Sequence, residues 1–239
     1  MIGENLRRVR ERIAAAARSA GRDPAGIRLI CVTKGVSIER VREAAEAGGL
    51  EIGENRVQEA QEKQENMSTG YKVPGTLPPV RWHLIGRLQR NKAKTAARLF
   101  DVIHSVDSAE LIGTLEKEGT LRQAQHERPL EILIQVNVSG QATQGGCRPE
   151  EVEGLAEAIL NSKNLKWTGL MTLAPYNRNP EEARPVFRRL REIRDHLEER
   201  FDEGHRLHLS MGMSGDFEAA VQEGATMVRI GTAIFGERK

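Results

Sequence analysis

Residues 27–49 read IRLICVTKGVSIERVREAAEAGG, and this stretch decides the fold. Ile27 to Lys34 is a β-branched, apolar run of the kind that makes a buried strand. Ser37, followed by Glu39 and Glu43, opens a helix that Gly48-Gly49 closes. The same strand-then-helix unit recurs outward from here. Further strands are expected at 50–54, 82–86, 101–106, 130–138, 166–173, 206–211 and 226–230. Helices are expected at 4–20, 56–67, 91–99, 108–123, 150–162, 180–200 and 215–223. About eight strands, each but the last followed by a helix, are what a (β/α)8 TIM barrel requires in a chain of 239 residues. Continuous apolar strands suit a parallel sheet covered by helices, an α/β fold.

No closing helix follows Phe235, so the extra N-terminal helix, with Leu6, Val9, Ile13 and Ala17 on one face, is expected to cover that gap. An open doubly wound sheet is the runner-up fold. It lacks support, because Lys34-Gly35-Val36 stands where a G-x-G-x-x-G turn would follow the first strand. The stretch 68–81, with Gly70, Pro74, Gly75, Pro78 and Pro79, reads as a long polar loop. The alternation resumes at Trp82, so one domain over residues 1–239 is expected.

Composition narrows the function. Lys and Arg number 36 against 34 Asp and Glu, a net charge of +2, so there is no basic field for nucleic acid. Aromatic residues make up only 4%, too few for base-stacking platforms. Two cysteines, Cys31 and Cys147, make neither a disulfide scaffold nor a metal motif, and Cys31 reads as core. The charged start, Met1 to Arg8, has no signal-peptide core, and no apolar run approaches the ~18 residues of a membrane span. A soluble, cytoplasmic protein without membrane or nucleic-acid partners is expected.

In a parallel barrel, functional side chains collect at the C-terminal strand ends. Lys34, at the exit of the first strand, is either a solvated residue or an amine tuned to form a Schiff base with an aldehyde. Ser210-Met211-Gly212-Met213-Ser214-Gly215-Asp216 leads into a helix, and Val228-Arg229-Ile230-Gly231-Thr232 ends the last strand. Each glycine pair alone reads as an ordinary tight turn. Together they sit after strands seven and eight, where barrels often hold a phosphate. Opposite a lysine on strand one they suit an aldehyde-bearing phosphate ester such as pyridoxal 5'-phosphate (PLP). His83 reads as packed or hydrogen-bonded rather than as a base, and His104 is equally open. Arg87, Arg90, Lys92 and Lys94 read either as a phosphate contact or as a solvated helix start.

At this point the chain resembles the PLP homeostasis protein family. The matching stretches are Val32-Thr33-Lys34, Ile52 to Glu59 (IGENRVQE), Trp82 to Lys92 (WHLIGRLQRNK) and His104 to Ser108 (HSVDS). They continue with Gly169-Leu170-Met171, Leu209 to Ser214 (LSMGMS) and Val228 to Gly236 (VRIGTAIFG), and so extend over nearly the whole chain. The resemblance implies a fold-type III barrel, similar to the N-terminal domain of alanine racemase but lacking its β-domain, and hence a monomer. It also implies PLP bound to Lys34, with Ser214, Gly231 and Thr232 as the phosphate cup. Arg229 would face the pyridine nitrogen and weaken the ring as an electron sink, and Asn55 would lie beside the ring.

One stretch departs from the family. Val136 to Gly146 reads VNVSGQATQGG, with Gln144 where relatives often carry a lysine, so no role is carried over to this loop. The resemblance implies a PLP-binding protein of vitamin B6 and amino-acid balance without turnover of its own. A PLP-dependent racemase or decarboxylase is the alternative, and an aldolase-like phosphosugar barrel is a third reading. Racemisation needs an acid–base group on each face, and alanine racemase takes one from a partner's tyrosine. Here the tyrosines are Tyr71, in the polar loop, and Tyr176, after the sixth strand; neither matches that position.

Overall fold

The computed structural model describes residues 1–69, 79–126, 129–177, 179–201, 204 and 206–237. Eight strands are hydrogen-bonded in chain order into a closed parallel barrel, β1 to β8. They are β1 (Arg28–Val32), β2 (Glu51–Glu54), β3 (Arg81–Leu84), β4 (Val102–Val106), β5 (Leu130–Gln135), β6 (Leu165–Met171), β7 (His208–Ser210) and β8 (Met227–Ile230). The helices are α1 (Ile2–Ser19), α2 (Ile38–Glu46), α3 (Val57–Thr69), α4 (Ala93–Leu99), α5 (Ala109–His126), α6 (Val152–Leu160), α7 (Arg184–Phe201), α8 (Phe217–Gln222) and α9 (Thr232–Phe235). The expected barrel is therefore the observed one, and the doubly wound alternative falls away.

Element ends moved in ways that chemistry explains. β1 stops at Val32, because the Val36 N–H donates back to the Thr33 carbonyl at 2.9 Å and turns the chain. β5 stops at Gln135, and Pro180 to Ala183 form a separate 3-10 turn before α7. α2 ends at a glycine-capped turn. There Gly48 adopts φ +87° and the Gly49 N–H donates to the Ala44 carbonyl at 2.7 Å. Residues 70–78 of the expected polar loop lie outside the described residues, Tyr71 among them.

Period-two alternation sorts the strand residues into two cores. Ile30, Val102, Leu133, Met171 and Met227 pack together as one buried cluster inside the ring. Their neighbours in sequence, such as Cys31, Ile103, Ile132 and Val228, join the larger cluster between barrel and helices. At Thr168 the β5–β6 register skips a residue, and Gly169 brings its backbone so close to β7 that a Cβ would meet the His208 carbonyl oxygen at 2.1 Å.

Among the described residues only the four-residue α9 follows β8, and α1 covers that flank by packing on α2, α8 and α9. Its buried stripe of Ile2, Leu6, Val9, Ile13, Ala16 and Ala17 follows the three-to-four spacing of the sequence. Each large side chain in that stripe contributes about 1.5–3 kcal/mol by leaving water. The Asn5 side-chain amide donates to the Ile234 carbonyl at 2.9 Å and ties the first helix to the last.

Candidate functional site

Parallel strands put all eight C-terminal ends at one mouth of the barrel, and the sequence-selected residues gather on one arc of it. β1 pairs with both β8 and β2, so the exits carrying Lys34, Asn55 and Gly231 are neighbours. The β7 exit completes the arc with Ser214.

Lys34 follows Thr33 in a turn that α3 clamps from both sides. The Lys63 ammonium donates to the Thr33 carbonyl at 2.6 Å, and the Gly35 N–H donates to Glu59 Oε1 at 2.5 Å. Lys63 also contacts Glu54 Oε1 and Glu59 Oε1, each at 2.7 Å. The Thr33 hydroxyl donates to the same Glu54 oxygen at 2.5 Å. Glu54 is 0% exposed and its Oε2 has no partner among the described residues. Burial accordingly pushes its carboxyl above the usual range, against the pull of Lys63 and Thr33. Sequence reasoning missed this cluster. Its one visible trace was Glu59 and Lys63 at helical i,i+4 spacing.

At the other end of the arc, the Ser214 hydroxyl oxygen accepts from the Gly231 N–H at 3.3 Å and the Ala233 N–H at 3.4 Å. Both are long contacts, so these two backbone donors have capacity to spare for an anion. The preceding loop is shaped by Gly212, at φ +93°, where a Cβ would meet that of Ala220 at 2.6 Å. The Asp216 carboxylate accepts the Met213 N–H at 2.6 Å and fixes the loop's far side. Gly231 is less crowded: a Cβ there would meet only Val32, at 3.4 Å and beyond. Thr232, the first residue of α9, is exposed.

Arg229 lies between these two groups and is 3% exposed. Its Nη1 donates to Ser210 Oγ at 2.6 Å and its Nη2 to the Thr172 carbonyl at 2.8 Å. Burial pushes its pKa down to about 10, with Asp216 opposing, so the guanidinium stays charged near neutrality. Asn55 follows β2, and Gly86 packs so tightly on it that a Cβ would meet the Asn55 carbonyl oxygen at 2.3 Å. Arg87 and Lys92 of the basic set line a cavity with Asn55 and Arg56.

The two histidines belong together. His83 Nδ1 and His104 Nε2 are 2.9 Å apart, His104 Nδ1 is 2.9 Å from Ser210 Oγ, and His83 Nε2 contacts Glu51 Oε2. Burial lowers the pKa of both rings, which keeps them neutral. Gln144 stands apart, across the ring after β5, in a loop bonded to itself; its side-chain oxygen accepts from Ser139 Oγ at 2.9 Å.

Residues 5–239 match the family described as alanine racemase, N-terminal domain. The pyridoxal phosphate homeostasis protein of Aquifex aeolicus is 44% identical over 236 residues, covering 99% of this chain and 98% of the relative. Its namesake in Pseudomonas aeruginosa is 41% identical over 237 residues, covering 99% and 96%. Among solved structures, PipY of Synechococcus elongatus PCC7942 with PLP bound superposes with a TM-score of 0.81 at 33% identity, covering 99% of this chain and 100% of PipY.

Proposed function

Because this chain belongs to the alanine racemase N-terminal domain family, alongside the pyridoxal phosphate homeostasis proteins, we propose that it binds PLP and serves PLP and amino-acid balance. The observation that carries this reading is the arc of Lys34, buried Arg229, and Ser214 with the two backbone donors it shares. A PLP molecule carries an aldehyde, a ring nitrogen and a phosphate, and the donor set offers one chemical partner for each. The group fits.

In this reading the Ser214 hydroxyl, the Gly231 and Ala233 N–H groups and Thr232 would hold the phosphate. Arg229, a cation held by Ser210 and Thr172, would donate to the ring nitrogen and keep a proton off it. Asn55 would border the ring. Lys34 would hold the aldehyde carbon by condensation with loss of water, and the α3 clamp on Thr33 and Gly35 fixes where its stem begins. When bound, PLP supplies an electron sink for carbanions formed on amino compounds.

That chemistry is held back here. A guanidinium at the ring nitrogen would leave the sink weak. Among the described residues the candidate second acid–base groups are already engaged: both ring nitrogens of His83 and of His104, and Lys63 by Thr33, Glu54 and Glu59. Tyr176, 92% exposed, makes no part of the arc. The protein therefore acts as a carrier and regulator, a monomeric single domain, rather than as a racemase or decarboxylase.

The test is borohydride reduction of the PLP-loaded protein followed by peptide mass mapping. A pyridoxyl group on Lys34 is expected, and an adduct solely on another lysine refutes the assignment. Incubation with L- and D-amino acids should give no sustained racemisation, transamination or CO2 release. Multiple turnovers that vanish in Lys34→Ala would make the protein an enzyme.

A further inference from the structure

Five side chains form one hydrogen-bonded line through the barrel, and of these the site described above sets only Arg229 against the ligand. Glu51 is the first residue of β2, so it lies at the mouth opposite Lys34, where a cavity lined by Arg10, Arg28 and Gly48 reaches it. From there the line passes through His83, His104 and Ser210 to Arg229. We propose that Glu51, His83, His104 and Ser210 are positioning residues that hold Arg229 in one orientation beneath the cofactor ring, with Glu51 setting the direction of every hydrogen bond. The inference rests on the PLP reading for its last link only.

The direction follows from donor chemistry taken from either end. An arginine only donates, so Ser210 Oγ accepts from Arg229, and His104 Nδ1 is the acceptor that the described residues offer its single proton. A neutral His104 then carries its hydrogen on Nε2 and donates it to His83 Nδ1. His83 in turn is protonated on Nε2 and donates to Glu51. Starting from Glu51 gives the same answer. His83 and Arg81 hold its carboxyl below the ordinary range, and an ionised carboxylate only accepts. Both ends demand the Nε2–H tautomer of both rings.

A proton on either ring breaks the line: on His83 it sets two N–H groups against each other at the His83–His104 contact, and on His104 it sets Nδ1–H against the Ser210 hydroxyl proton. The surroundings oppose that proton. Arg81 faces both rings, Arg229 and His208 face His104, and Glu51 and Asp101 face His83 with negative charge. With the line intact, two of the guanidinium's five donors are committed to Ser210 and Thr172, and the plane of the group is fixed.

The experiment uses full-length protein with 15N-histidine and, separately, PLP labelled with 15N at the ring nitrogen. Long-range 1H–15N spectra of the apo-protein should show both His83 and His104 as Nε2–H tautomers. Either ring as the Nδ1–H form, or as a cation at neutral pH, overturns the proposal. In the loaded protein, Ser210→Ala and Glu51→Leu should both move the ring-nitrogen resonance toward free pyridine while the Lys34-dependent absorbance band remains. Glu51→Gln, whose amide oxygen still accepts from His83, should restore both the tautomers and the resonance. An unmoved ring nitrogen in Ser210→Ala and Glu51→Leu overturns the positioning role with PLP binding intact. Absence of the absorbance band in the unmodified protein overturns the cofactor reading itself.

Discussion

Replacing Lys63 by methionine tests whether the α3 clamp holds the Lys34 turn. The substitution keeps most of the buried stem but removes an ammonium that meets the Thr33 carbonyl at 2.6 Å and Glu54 and Glu59 at 2.7 Å each. Glu54 suffers most: it is fully buried, and its second oxygen already lacks a partner. Removing one member of such a buried pair costs about 3–5 kcal/mol, a large share of the ~5–15 kcal/mol that stabilises a whole protein. In a chain of this size that corresponds to a Tm lower by roughly 6–20 °C. The loss depends on pH in a defined sense. Without Lys63 the folded state favours protonated Glu54 still more, so the deficit is greatest at alkaline pH and shrinks as pH falls toward the unfolded carboxyl value. Lys63→Met combined with Glu54→Gln should recover much of the Tm, because no buried charge is left alone. Differential scanning calorimetry at pH 8 and pH 5 measures all of this. A Tm within 2 °C of the unmodified protein at pH 8, or no recovery in the double variant, refutes the reasoning.

Ser214→Ala removes one charge-assisted hydrogen bond worth about 1.5–3 kcal/mol, so PLP should bind roughly 10- to 150-fold more weakly by equilibrium titration, with little change in Tm. Gly231→Ala meets only Val32, at 3.4 Å, and should fold normally; weaker PLP binding in that variant reports the ligand's approach, and unchanged binding moves the phosphate elsewhere. Gly86→Ala forces a methyl against the Asn55 backbone and should lower Tm in the apo-protein. His83 and His104 have folded pKa values depressed below 6.5, so the unfolded chain takes up protons that the fold refuses, and stability is lost as pH drops from 6.5. Each ring contributes a slope that approaches about 1.4 kcal/mol per pH unit below the unfolded value, and the raised Glu54 and Asp216 oppose it. Denaturant titrations from pH 7 to 5.5 check it, and a flat profile contradicts buried neutral rings.

The barrel was legible because the hydrophobic period changes sharply between Ile27–Lys34 and Ser37–Gly48, and then keeps changing. The placement of Lys34, Ser214 and Gly231 at one mouth was legible for a related reason: strand exits can be read from where apolar runs end, and parallel strands send every exit to one mouth. The line from Glu51 to Arg229 was not. It depends on which side chains of β2, β3, β4, β7 and β8 point inward at matching heights, and a one-residue error in register would turn each of them outward. His83 was read as hydrogen-bonded, but nothing local names His104 as its partner, 21 residues away. Lys63 was invisible for the opposite reason. On its helix it looks like half of an ordinary surface ion pair, and only the packing of α3 over Thr33 and Glu54 buries it.

The pairing of β1 with β8 also bears on how the chain is made. One edge of β1 is satisfied early by β2, but the other waits for Met227 to Ile230. At ordinary synthesis rates the intervening stretch of about 200 residues takes roughly 10–40 s to appear. Throughout that interval a short, apolar strand edge stands open, and part of the α1 stripe has neither α8 nor α9 to rest on. Such an edge invites pairing with a neighbouring chain. Shutting the ring is thus the event that removes the hazard, so a chain stalled before residue 227 is the form most prone to aggregate.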